Sequence, residues 1–347
     1  MKSISSLVGV LLNVALLAAC GGDGSSPPLS GAPAVGAPEP AVTRSATVGL
    51  NLYVANYVAD AVTVYAEHGK TLLRTISQGV NFPDALAFDS SGDLFVANYY
   101  KKTVTSYAPG STSPVLTISR GLNGPRALAF DRSGNLYVGC MKAVQVYAPG
   151  STSPLRTISQ GISHVRALIF DGSGDLFAAN SGNRTVTVYA PGGSSPIETI
   201  SDGIDFPSAL AFDASGNLYV ANNRASTVTV YASGNVSPLE TITDGIFSPV
   251  ALAFDGSGVL YVANHYGGSQ NTGDVTIYAP GKTSPLRAIS QSVSNPDALA
   301  VDGSSNLYVA NENYNASTVT VYAKRGKNLL RTIYEGVKEP TALAFGP

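Results

Sequence analysis

The hydrophobic positions of this chain fall into short words that return at regular intervals. A five-residue apolar word, LYVAN and its variants, ends at Asn56, Asn98, Cys140, Asn180, Asn222, Asn264 and Asn311. A four-residue word, ALAF, starts at Ala85, Ala127, Ala167, Ala209, Ala251, Ala298 and Ala342, with ALIF and ALAV as the third and sixth copies. Runs of four to five apolar residues bounded by Gly, Asp, Asn, Ser and Pro read as buried strands rather than helices. One full unit predicts strands over Ala209 to Phe212, Leu218 to Asn222, Thr227 to Tyr231 and Leu239 to Ile242. The link Asp213-Ala214-Ser215-Gly216-Asn217 has tight-hairpin chemistry, and Pro238 stands just before the fourth strand, where a missing N–H is tolerated.

The register of the two words predicts the architecture. The first LYVAN has no ALAF before it, and the last ALAF has no LYVAN after it. One repeat is thus divided between the two ends of the domain, as expected of a closed ring whose last blade is completed by both termini. The expected fold is all-β, a seven-bladed β-propeller of four-stranded blades closed by the C-terminal ALAF strand. The first two strands read apolar on both faces, as a sheet packed between neighbours requires. The Thr/Val alternation of the third strand predicts a more peripheral position.

Composition agrees with this picture. Apolar residues make up 44%, charged residues only 13%, and there are 36 Gly and 21 Pro, a mixture suited to turn-rich β-structure and too apolar for disorder. The net charge of −2 leaves no basic footprint for nucleic acid, so no nucleic-acid partner is expected.

The N-terminus carries a separate message. Lys2 precedes an apolar run from Leu7 to Ala19, the pattern of an export signal. The words Leu17-Ala18-Ala19-Cys20-Gly21 resemble the bacterial lipoprotein signal, in which cleavage leaves an acylated cysteine; the alternative is an ordinary cleaved signal with a chance cysteine. The resemblance implies residues 1–19 as signal peptide, lipidation at Cys20, a Gly/Pro/Ala/Ser-rich tether over 20–45 and the propeller over 46–347. It also implies a membrane partner through the lipid and a place on the bacterial envelope, at the outer membrane because Gly21 rather than Asp follows the cysteine. Cleavage would leave Cys140 without a disulfide partner. It reads as a small filler in place of Asn, or alternatively as a reactive thiol.

The words PxALAFDxSGNLYVAN and TVTVYA resemble NHL-type and related bacterial surface-propeller repeats over essentially all of Leu50 to Phe345. Related propellers include gluconolactonase-like hydrolases, streptogramin lyases and non-catalytic scaffolds, so the resemblance implies a fold and leaves the reaction open.

Variation between repeats points to one face. The steps between successive LYVAN ends are 42, 42, 40, 42, 42 and 47 residues, and the differences fall in the loop after the second strand. That loop and the connection into each first strand should surround one mouth of the central channel. The position before ALAF, occupied by Asp84, Arg126, Arg166, Ser208, Val250, Asp297 and Thr341, should border it. Lys101, Lys102, Lys142, Arg184 and Arg224 extend the two arginines into a basic sector, with Asp60, Asp84, Asp297, Glu312 and Glu339 as an acidic one. Tyr99, Tyr100, Tyr266, Tyr314, Phe82 and Phe206 add aromatic surface.

From these the expected activity is non-enzymatic binding of a protein or glycan, with Arg126, Arg166, Lys101, Tyr100, Tyr266, Asp84 and Asp297 as contacts and no cofactor. The alternative is a small-molecule hydrolase or lyase at the same mouth using His164, His265 and nearby carboxylates, the one reading that admits a divalent cation. A passive surface coat is a third. His68 falls in a turn on the opposite face. Asp-rich turns such as Asp89-Ser90-Ser91-Gly92-Asp93 lack the ligand run of a calcium loop and are explained by Asp accepting backbone N–H bonds.

Overall fold

The computed structural model describes residues 50–66, 69, 71–267, 272–313 and 316–347. Cys20 with the signal and tether, His68 and Tyr314 lie outside the described residues. Seven four-stranded antiparallel sheets form the seven-bladed β-propeller. In the blade used above as the example, the strands are Pro207–Phe212, Leu218–Asn222, Thr227–Tyr231 and Glu240–Ile242, close to expectation. The ring closes as the split repeat predicts. Pro340–Gly346 pairs with Asn51–Asn56, and Ala61–Tyr65 and Leu72–Ile76 complete that blade. The first strands touch one another in sequence around the ring and are therefore innermost. Among the described residues no helix is long and apolar enough to cross a membrane.

Neighbouring blades are joined by two repeated devices. The Phe of ALAF meets the aromatic residue of the preceding blade's second strand edge-on, as in Tyr53–Phe88 at 4.9 Å and Tyr219–Phe254 at 5.0 Å. Where ALAF becomes ALAV, Tyr261 has no such ring to meet, and its hydroxyl instead accepts the Arg325 N–H at 3.2 Å. The Tyr closing each third strand donates to a backbone carbonyl just beyond the preceding blade's fourth strand. Tyr107 to Gln78 at 2.7 Å and Tyr189 to Gln160 at 2.6 Å are two of these seven ties.

The third strand stands outside the first two in every blade, as expected, yet it is not exposed. Its central Thr is buried, as at Thr63, Thr105, Thr187, Thr229, Thr276 and Thr320. The reason is the Asn that ends LYVAN. The Asn222 amide donates to Thr229 Oγ1 at 2.9 Å, and its Oδ1 accepts the Asp205 N–H at 3.1 Å, tying the third strand to the loop that feeds the first. The same arrangement recurs at Asn56, Asn98, Asn180, Asn264 and Asn311, so these residues are internal caps. The blade that has Cys140 in place of Asn also has Gln145 in place of Thr, and Gln145 Oε1 accepts from Thr157 at 2.7 Å. Cys140 is buried, and burial pushes its thiol up to about 11, as befits a filler rather than a reactive group.

On the opposite face, an Asp holds the hairpin between first and second strands in the six blades that have one. Asp213 Oδ1 accepts the N–H groups of Ser215 and Asn217, each at 2.9 Å.

Candidate functional site at the channel mouth

Two backbone features fix the mouth. The residue two positions before the ALAF-preceding residue has positive φ in every blade: Phe82, Gly124, His164, Phe206, Ser248, Asn295 and Glu339. Only one of the seven is glycine, so the left-handed turn is imposed by the blade rather than chosen by local preference. In six blades its carbonyl accepts the N–H of the residue just after LYVAN, as in Tyr99 to Phe82 at 3.1 Å and Glu312 to Asn295 at 2.9 Å; in the Cys140 blade the acceptor moves to Asn123. These bonds place a second set beside the first: Tyr57, Tyr99, Met141, Ser181, Asn223, His265 and Glu312. The sequence reading found the ring before ALAF but not this one, although the residue following each LYVAN is as easily read.

The charged members of the two rings converge. Asp84 is fully buried, and its Oδ2 lies 3.5 Å from Arg126 Nη1 without a hydrogen bond. Burial raises the Asp84 pKa to about 6, against the opposing pull of Arg126 and Arg166. Burial also works against the Arg126 charge, but Asp84, Tyr99 and Tyr57 outweigh it and hold its pKa above the ordinary value. Arg166 is lowered to about 10 by burial and by the Arg126 charge. The basic and acidic sectors meet here, where Arg126 reaches Asp84 of the neighbouring blade.

Aromatic rings extend from this centre. The Arg126 guanidinium lies 4.2 Å from the centre of the Tyr99 ring. Tyr99 meets Tyr100 at 6.2 Å, Tyr100 meets Phe82 at 4.9 Å, and Phe82 meets Tyr57 at 4.8 Å. Arg166 stands 5.7 Å from the Phe206 ring centre. Tyr99, Arg126, Met141, His164, Val165 and Arg166 line an open cleft here.

Across the two following-strand loops lies a different cluster. His265, Asp297 and Glu312 each offer one donor atom, and all three donors lie within 4.8 Å of one another. Asp297 is buried with neither oxygen hydrogen-bonded. Burial, then Glu312 and Asp84, push its carboxyl well above the ordinary range, while Arg166 and Arg126 pull the other way. Glu312 is raised to about 7 by burial and by Glu339. Burial lowers His265, partly offset by its hydrogen bond to the Pro296 backbone.

The remaining expected residues separate into exposed and structural. Tyr100, Lys101, Lys102, Lys142 and Arg224 are exposed on the loops, and Tyr266 is partly exposed with its ring 4.7 Å from His265. Arg184 pairs with Asp205 at 3.3 Å. Asp60 belongs to loop capping, accepting from the Phe82 N–H at 2.7 Å. His164 and His265 are not brought together as a pair: His164 is exposed beside Ser163 Oγ at 3.2 Å, and His265 is buried with the carboxylates.

No protein-family model and no curated protein matches the chain. Among solved structures, a protein of unknown function from Desulfotomaculum acetoxidans is similar over 86% of this chain and 98% of its own, with 15% identity and a TM-score of 0.70. A protein provisionally named a 6-phosphogluconolactonase, from Bacteroides fragilis, is similar over 87% of this chain and 99% of its own, with 16% identity and a TM-score of 0.71. At such identity the likeness is one of fold, and it places the chain among seven-bladed β-propellers.

Proposed function

We propose that the chain is an envelope-anchored binding module that takes a protein or glycan ligand at this mouth. The observation that carries the reading is the continuous row Tyr57–Phe82–Tyr100–Tyr99–Arg126, ending beside Arg166. Flat rings stack on sugar faces or apolar side chains, and a guanidinium presents paired donors to a carboxylate. The ligand this row suits has an apolar or sugar face next to an acidic group. Burying Asp84 and Arg166 against their charge preference is consistent with a site held ready at some cost to stability.

The test is capture from envelope extract by the full chain, beside variants Tyr100→Ala and Lys101→Glu, both on exposed residues, and Arg166→Gln at the mouth. A partner lost with each variant supports the reading, and a partner retained equally by all rejects this face. Anchoring through Cys20 is part of the proposal. Incorporation of labelled palmitate should vanish in Cys20→Ser, and persistence of label would reject it.

A second reading is hydrolysis of a lactone-like small molecule at the same mouth. It is favoured by Glu312, a carboxyl near neutrality beside a buried histidine. Turnover of lactones abolished by Glu312→Gln would support it, and inert protein would reject it.

A further inference from the structure

We propose that His265, Asp297 and Glu312 form a site for one divalent transition-metal cation of the Mn2+ or Zn2+ class. This goes beyond the binding reading and does not depend on it.

The donors come from adjacent blades. His265 follows the second strand Leu260–Asn264, while Asp297 and Glu312 stand at the start of Pro296–Val301 and just after Leu307–Asn311 of the next blade. Backbone bonds from His265 N to Ser248 O at 3.2 Å and from Glu312 N to Asn295 O at 2.9 Å hold both loops. Because the donor atoms lie within 4.8 Å of one another, a point between them is at most about 2.8 Å from each, and contraction of up to about 0.8 Å reaches metal–ligand bond lengths.

Unsatisfied atoms point to an absent positive partner. His265 is 8% exposed and Asp297 1%, yet His265 Nδ1 and both Asp297 oxygens are buried without a hydrogen bond. Buried polar atoms in this state are rare, and each calls for a specific explanation. Around the cluster, the Arg126 and Arg166 charges act on Asp84 and Asp297, whereas Glu312 faces the like charge of Glu339.

The donor set selects the class of ion. One imidazole nitrogen with two carboxylates and no sulfur suits Mn2+, Fe2+ or Zn2+ better than Ca2+ or Mg2+, which prefer oxygen alone. The hydrogen bond from the imidazole to the Pro296 backbone orients the ring, as outer partners do for metal-binding histidines. Three protein ligands would leave coordination positions open toward the mouth.

The experiment is titration of Mn2+ into chelator-stripped full chain, with free ion read by electron paramagnetic resonance. Saturation at one equivalent is expected, with affinity reduced about 10-fold to 100-fold or more in His265→Gln, Asp297→Asn and Glu312→Gln. The exposed Asp202→Asn should bind as the unmodified chain does. Circular dichroism identifies any variant that fails to fold, and the three near-isosteric changes give independent readings. No saturable binding by the unmodified chain, or binding that survives both Asp297→Asn and Glu312→Gln, would overturn the proposal.

Discussion

Asp84→Asn should flatten the dependence of stability on pH between about 4 and 6. Asp84 is fully buried, and burial raises its pKa from 3.8 to about 6 despite Arg126 at 3.5 Å. Well below pH 3.8 the carboxyl is neutral in folded and unfolded chains and contributes nothing to the difference between them. As pH rises through the window, the unfolded chain releases the proton while the folded chain holds it, so stability is lost. Above about pH 6 the loss is complete, and a displacement from 3.8 to about 6 corresponds to ~3 kcal/mol. Asparagine cannot ionise, so the variant should match the unmodified protein near pH 3.5 and exceed it by up to ~3 kcal/mol at pH 7.5. Asp297, whose pKa is raised partly by Asp84, should move in the same direction. The assay is thermal unfolding of both proteins in buffers from pH 3.5 to 7.5, where that gap corresponds to roughly 5 °C or more at ~2 °C per kcal/mol. A constant gap across the range, or a variant that loses ground as pH rises, would refute the reasoning and show that the Arg126 pair stabilises the ionised carboxylate fully.

Three further outcomes follow from the blades. Asn222→Ala removes the amide that bonds Thr229 and strands the Asp205 N–H, so denaturant unfolding should show a loss of ~2–4 kcal/mol; a loss under ~1 kcal/mol would mean water replaces the cap. Gly139→Ala would place a methyl group 2.6 Å from Val165 Cγ1 and 3.1 Å from Ala127 Cβ, costing ~1–3 kcal/mol, and the double variant with Val165→Ala should recover most of it, as a double-mutant cycle can check. Cys140, buried with its thiol at about 11, should resist alkylation in folded protein at pH 7.5 and react at the rate of a free thiol in denaturant; rapid labelling of folded protein would contradict the burial.

The repeat words alone determined the strands, their number and the closure of the ring. Short apolar runs of strand length leave few ways to bury both faces, and a repeat split between the termini leaves one way to finish the last blade. The seven residues before ALAF were also legible as the channel border, because a fixed offset in a repeat becomes a fixed height in a ring. The outer place of the third strand was legible too, but the burial of Thr229 and its equivalents was not, because Thr looks solvent-facing until the LYVAN asparagine is brought up to donate to it. The grouping within the mouth belonged to the tertiary structure. His265 and Asp297 stand 32 positions apart, and Arg126 and Tyr99 stand 27 apart. Their contacts arise from the left-handed turns that carry each loop over the next blade, and four of those seven turns, at Phe82, Phe206, Ser248 and Glu339, use residues that do not announce a positive φ. Whether a buried carboxylate meets a guanidinium or is left without a partner depends on which side chain crosses the channel, and only the closed ring decides that.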